Sequence, residues 1–134
     1  MYTASFEPGK NEGTVVKANY QINFDSGSAK VKPSEVARLQ EIRNLLIRAT
    51  DTKIIIQGHT DNVGDLGSNL ALSEQRAQSV WQWLKESDPT GINIRQARLE
   101  AVQGYGPHSP LPGNNNLTEA ERAQNRRVVI KVLA

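Results

Sequence analysis

The sequence contains no cysteine, which excludes a disulfide framework, a thiol nucleophile and any thiolate metal site while leaving the redox compartment open. Histidine is scarce as well: only His59 and His108 occur, and neither has a second metal ligand at helical spacing. No apolar run approaches the roughly 18 residues that a membrane span requires. Met1 is followed by a short polar start without the long apolar stretch of a secretory signal. Charge of one sign is also missing. Sixteen basic residues face 14 acidic ones for a formal net charge of +2, too even a balance for the basic face that nucleic acid demands. Only Arg126 and Arg127 stand together as a basic pair.

What is present is the composition of one folded domain. A chain of 134 residues, 37% hydrophobic and 22% charged, is long enough to bury a working core and too short to divide comfortably. Met1 to about Gly13 is small, polar and without period, so residues 1–14 read as a flexible lead or linker and 15–134 as the domain. From Val16 to Phe24 apolar and polar residues alternate, predicting a half-buried strand. Pro33 suits the first turn of a helix in which Val36, Leu39, Ile42, Leu46 and Ala49 form one stripe, ending near Thr50. Lys53 to Gly58 is continuously apolar at its centre, as in an internal strand covered on both faces. Strand, helix and strand in that order suggest a βαβ unit.

A loop rich in turn formers, Gly58 to Ser68, precedes a long helix from about Asn69 to Glu86, with Leu70, Ala77, Val80, Trp81 and Leu84 facing inward. Ile92 to Arg98 is ambiguous. Leu99 to Gly104 is the third strand, and Tyr105 to Leu117, with three prolines and two glycines, is a long loop. Thr118 and Glu121 have capping-box spacing for a short helix to about Gln124, and Arg127 to Leu133 is the fourth strand. The fold class is α/β: a two-layer sandwich, its mixed four-stranded sheet carrying two main helices on one face.

Asp61 in the polar loop and Arg76 in the following helix make the most suggestive pair. If the loop folds back on the helix, a carboxylate and a guanidinium lie side by side and open to solvent, a clamp for a ligand end bearing both ammonium and carboxylate. The amino-terminal turns of the helix add unpaired N–H groups and a positive dipole end. Asn69, Leu72 or Ser73, Arg76 and Val80 recur at three- and four-residue intervals, putting the polar members on a face distinct from the inward stripe. Spacing equally allows Asp61 and Arg76 to pair with each other, pinning loop to helix without a ligand.

The run GHTDNVG, the spacing N-x-x-L-S-x-x-R-A from Asn69 to Ala77, GYGPHSP, and RAQNRRVVIKV from Arg122 to Val132 together resemble the OmpA-like carboxy-terminal domain over roughly Val16 to Leu133. This is the module shared by outer membrane protein A, the peptidoglycan-associated lipoprotein and the flagellar stator protein MotB. The resemblance implies noncovalent binding of peptidoglycan through meso-diaminopimelate of the peptide stem, in the periplasm of a Gram-negative bacterium. It implies recognition by Asp61 and Arg76, with Phe24, Asp25 and Asn69 at matching positions and Thr60, Leu72 and Arg127 as weaker members of the same groove. No cofactor or metal is implied, membrane attachment would come only through a segment absent from this chain, and a homodimer stays open.

Two other classes compete. His59, Asp61 and Asp65 are close enough in sequence to suggest a metal-assisted hydrolase. Alternatively, the same fold serves as a protein-interaction or oligomerisation module, in which case Trp83, off the inward stripe, is the residue to watch. For Phe24 core packing is the plainer role; for Asn125 and Arg126 it is a hydrogen-bond network tying the last strand to its loop.

Overall fold

The computed structural model describes residues 16–133, so the expected lead over 1–14 lies outside them. Four strands, β1 (Val16–Asn23), β2 (Ile54–Gly58), β3 (Leu99–Gly104) and β4 (Arg127–Leu133), form one sheet in the order β1-β4-β2-β3. Helices α1 (Val36–Arg48), α2 (Leu66–Glu86) and α3 (Glu119–Asn125) complete the chain, with single 3-10 turns at Pro33–Glu35 and Gln96–Arg98.

Alternation along β1 and β4 sends Ile22, Val128, Ile130 and Val132 into one cluster with Leu39, Ile42 and Leu46 of α1 and Ala77, Val80, Trp81 and Leu84 of α2. Both main helices therefore cover the same face. Every residue of β2 is buried, as its unbroken apolar centre predicts. The expected βαβ unit is split, however: β4 lies between β1 and β2, antiparallel to both, because the last strand is long and apolar enough to take the central slot. The contiguous parallel pair is β2 and β3, joined through α2.

The register sets out the molecule's two ends. Val16 pairs with Leu133 at one end, while Asn23 pairs with Arg127 and Gly58 with Val128 at the other. The loops following β1 and β2 both leave from this second end. The ambiguous stretch after α2 is ordered by Asp88, whose carboxylate accepts from the backbone N–H groups of Asn93 and Ile94. Arg98 then donates to the carbonyls of Leu46, Ala49, Thr52 and Asn93, fastening the segment to the end of α1.

Candidate functional site

Helix α2 begins at Leu66, earlier than its apolar period suggests, because Asp65 is its N-cap and accepts from Ser68 N at 2.9 Å. Asp65 is thus a helix-terminal residue, and its own carboxylate already takes one amino-terminal N–H, that of Ser68, together with the Ser68 hydroxyl. A helix of 21 residues at 1.5 Å per residue outlasts a strand of five. Its first turns reach past the sheet over the loop ends, where the groups to be met are backbone carbonyls rather than apolar side chains.

For that reason the inward stripe changes character instead of ending. Asn69, Ser73 and Arg76 are buried in line with Ala77, Val80, Trp81 and Leu84, so the polar residues do not form a separate face as their spacing suggested. Leu70, expected inward, is 37% exposed and stands against Gly106 of the following loop. The close approach of the helix is enforced by glycine: a Cβ at Gly58 would lie 1.8 Å from the Ser73 carbonyl oxygen.

Arg76 has no exposed surface. Its Nε donates to Ser28 O at 2.8 Å, Nη1 to His59 O at 2.9 Å and Nη2 to Asp25 O at 3.0 Å. One side chain thereby joins the loop after β1, the end of β2 and α2, with its guanidinium 5.5 Å from the centre of the Phe24 ring. Burial lowers its pKa to about 10, while the charge of Asp61 raises it and that of Arg126 lowers it. It is cationic at neutral pH.

Asp61 is 7% exposed. Its Oδ1 accepts from Val63 N at 3.0 Å and its Oδ2 from Arg126 Nη1 at 2.9 Å. The other Arg126 terminal nitrogen contacts Glu119 of α3. The expectation of two opposite charges open to solvent is therefore corrected: both groups are buried, and the ion-pair partner of Asp61 is Arg126 rather than Arg76. The linkage between Asp61 and Arg126 spans 65 positions, and no local pattern announces it.

The remaining candidates separate by location. Asn69 donates through Nδ2 to Val63 O at 2.9 Å and Thr60 through Oγ1 to Asp61 O at 2.8 Å, so both shape the loop that carries Asp61. Leu72 is half-buried on α2. Phe24 is a core residue, 3% exposed. Asp25 contributes its carbonyl to Arg76, while its carboxylate meets Lys32 at 3.3 Å. Arg127 does not join this group. Alternation in β4 turns it to the helix-free face beside Val129 and Lys131, where it donates to Ser109 O and Asn125 Oδ1. Asn125 does tie loop to strand, through Leu111 N, Asn114 and Asn116.

His59, Asp61 and Asp65 do not converge: His59 stacks on Tyr105, Asp61 meets Arg126, and Asp65 caps α2. Among the described residues no group of three His, Cys, Asp or Glu side chains could hold a metal ion, and no helix is long and apolar enough to cross a membrane. Trp83 is half-buried against the core beneath Arg43.

A four-stranded mixed sheet with both main helices on one face, bearing a buried carboxylate and guanidinium at the end of its central strands, defines an OmpA-like α/β domain. The chain belongs to the OmpA family, whose model matches residues 23–126. It is 34% identical over 125 residues to the outer-membrane lipoprotein YfiB of Pseudomonas aeruginosa, covering 93% of this chain and 70% of that protein. It is also 34% identical over 127 residues to motility protein B of Bacillus subtilis, covering 92% of this chain but only 46% of that protein. The chain thus spans less than half of that relative. Among solved structures, the peptidoglycan-associated lipoprotein of Burkholderia pseudomallei superposes with a TM-score of 0.71 at 30% identity, over 84% of this chain and 88% of that one.

Proposed function

We propose that this domain binds bacterial peptidoglycan noncovalently, and so holds the envelope protein that carries it to the cell wall on the periplasmic side of a Gram-negative outer membrane. The observation that carries the proposal is a buried carboxylate and a buried guanidinium gathered at one end of the sheet and not bonded to each other: Arg76 holds the His59 carbonyl two residues before Asp61, and Asp61 holds Arg126. Kinship with a peptidoglycan-associated lipoprotein supports the choice of ligand.

Within the peptide stem, diaminopimelate offers an ammonium and a carboxylate on one carbon. Asp61 is an acceptor-only carboxylate that already holds a cation, Arg126, in the free protein, and Arg76 has five N–H donors of which three are engaged by carbonyls. Asp61 is the group to receive the ammonium and Arg76 the group to face the carboxylate, which requires the ligand to uncover a guanidinium that has no exposed surface in the free protein.

Asp61→Asn is the cleaner test, because Arg76→Ala would also strip three backbone carbonyls of their donor. The variant should lose cosedimentation with purified sacculi while unfolding cooperatively like the wild type, and wild-type protein should prefer diaminopimelate stems to lysine stems, which lack the second carboxylate. Undiminished sedimentation of Asp61→Asn would remove Asp61 from the site; equal affinity for the two stems would remove Arg76.

A further inference from the structure

Arg126 stands at the junction of α3 and β4, and its guanidinium bridges two carboxylates that differ sharply in setting. Asp61, on the inner side, has a side chain 10% exposed; Glu119, on the outer side, is 69% exposed. Arg126 itself is 9% exposed at its side chain, and its Nε has no partner among the described residues. It is thus held by its two terminal nitrogens alone, one on each acid.

We propose that Arg126 is an affinity-setting residue: its guanidinium fills the cation seat on Asp61 in the free protein, and the ligand ammonium must take that seat from it, with Glu119 receiving the displaced arginine. The inference rests on the reading of Asp61 as the ammonium acceptor. A second cation arriving at Asp61 Oδ2 meets Arg126 Nη1 already 2.9 Å away, and two like charges cannot share one buried carboxylate without repulsion. The outer carboxylate gives the guanidinium somewhere to go. Because Arg126 bridges both acids, full transfer to Glu119 needs a swing of one side chain and no movement of strand or helix.

The energetics give the proposal a sign that a merely structural role would reverse. Removing Arg126 leaves Asp61 buried without its counter-charge, which raises the free energy of the ligand-free protein. An incoming ammonium then recovers that loss, so affinity rises as stability falls. Removing Glu119 acts oppositely, because Arg126 is left with Asp61 as its sole carboxylate among those it contacts here.

The test is calorimetric titration of the folded domain with a soluble tripeptide stem ending in diaminopimelate. Arg126→Gln should bind about tenfold more tightly than wild type, corresponding to about 1.4 kcal/mol, although its thermal midpoint is lower. Glu119→Gln should bind severalfold more weakly with little change in midpoint. Equal or weaker binding by a folded Arg126→Gln overturns the proposal. Should that variant not fold, Glu119→Gln decides alone: weaker binding supports the displacement, and unchanged or tighter binding ends it. Asp61→Asn separates the two levels of argument. If it binds as the wild type does, the site reading fails and the displacement with it. If it does not bind while Arg126→Gln weakens, only the displacement fails.

Discussion

His59 illustrates how much a single side chain can depend on where its neighbours fall. It lies at the end of β2 with no exposed surface, stacked on Tyr105 at 5.4 Å between ring centres, and neither ring nitrogen has a hydrogen-bond partner among the described residues. Burial, then the charges of Arg127 and Lys131, lowers its pKa from 6.5 to about 3. Between those values the unfolded chain binds a proton that the folded one refuses, so stability falls as pH drops through this window, by at most about 1.4 kcal/mol per pH unit. Urea denaturation between pH 6 and 4 should give a shallower pH slope for His59→Phe than for the wild type. Identical slopes would mean that the ring protonates freely in the folded state. Its place at the end of an apolar strand reads as that of a hydrogen-bonded structural residue, and only the burial holds, since neither ring nitrogen is bonded among the described residues; that cations flank it is not readable, because Arg127 and Lys131 lie some 70 positions away along the chain. The same distance hides the pairing of Asp61 with Arg126.

At the scale of elements, periodicity carries most of the reading, and it goes astray where a helix leaves the sheet. β1, β2 and β4 follow from alternation or unbroken apolar runs, and α3 from its capping box, in which Thr118 and Glu121 exchange hydrogen bonds. The start of α2 was obscured because its first turn, from Leu66 to Asn69, carries no inward apolar residue, its buried position there being Asn69 itself. A period defined by hydrophobicity cannot register a stripe that stays buried while turning polar. The contact that makes this stripe possible is local and testable. Gly58→Ala places a methyl group where the Ser73 carbonyl oxygen already sits, and the obstacle is backbone, so helix and strand must move apart. A loss of about 1–3 kcal/mol is expected in denaturant titration. A stability within 0.5 kcal/mol of wild type, a margin of roughly the usual effect of a surface change, would show that α2 can slide without penalty.

For the whole molecule, the sheet order is the least legible property, because nothing local says that the last strand enters between the first two. Once it does, the ends of the described chain and the proposed site are separated. Val16 and Leu133 are paired at one end of the sheet, while Asp61, Arg76 and Arg126 gather about the other. Bulky groups fused ahead of Val16 or beyond Leu133 should accordingly leave sedimentation with sacculi unchanged. A fusion at either terminus that halves the bound fraction would place the wall-contacting surface elsewhere.

That separation also decides how the domain carries force. If the envelope attachment lies ahead of Val16 and the wall is held at the proposed site near Asp61, the pull runs along the strands, and the ladder of hydrogen bonds joining β1 to β4, which runs across the strand direction, is then strained in shear and must yield together rather than opening one rung at a time. Under tension the sheet behaves as a rivet seam rather than a zipper.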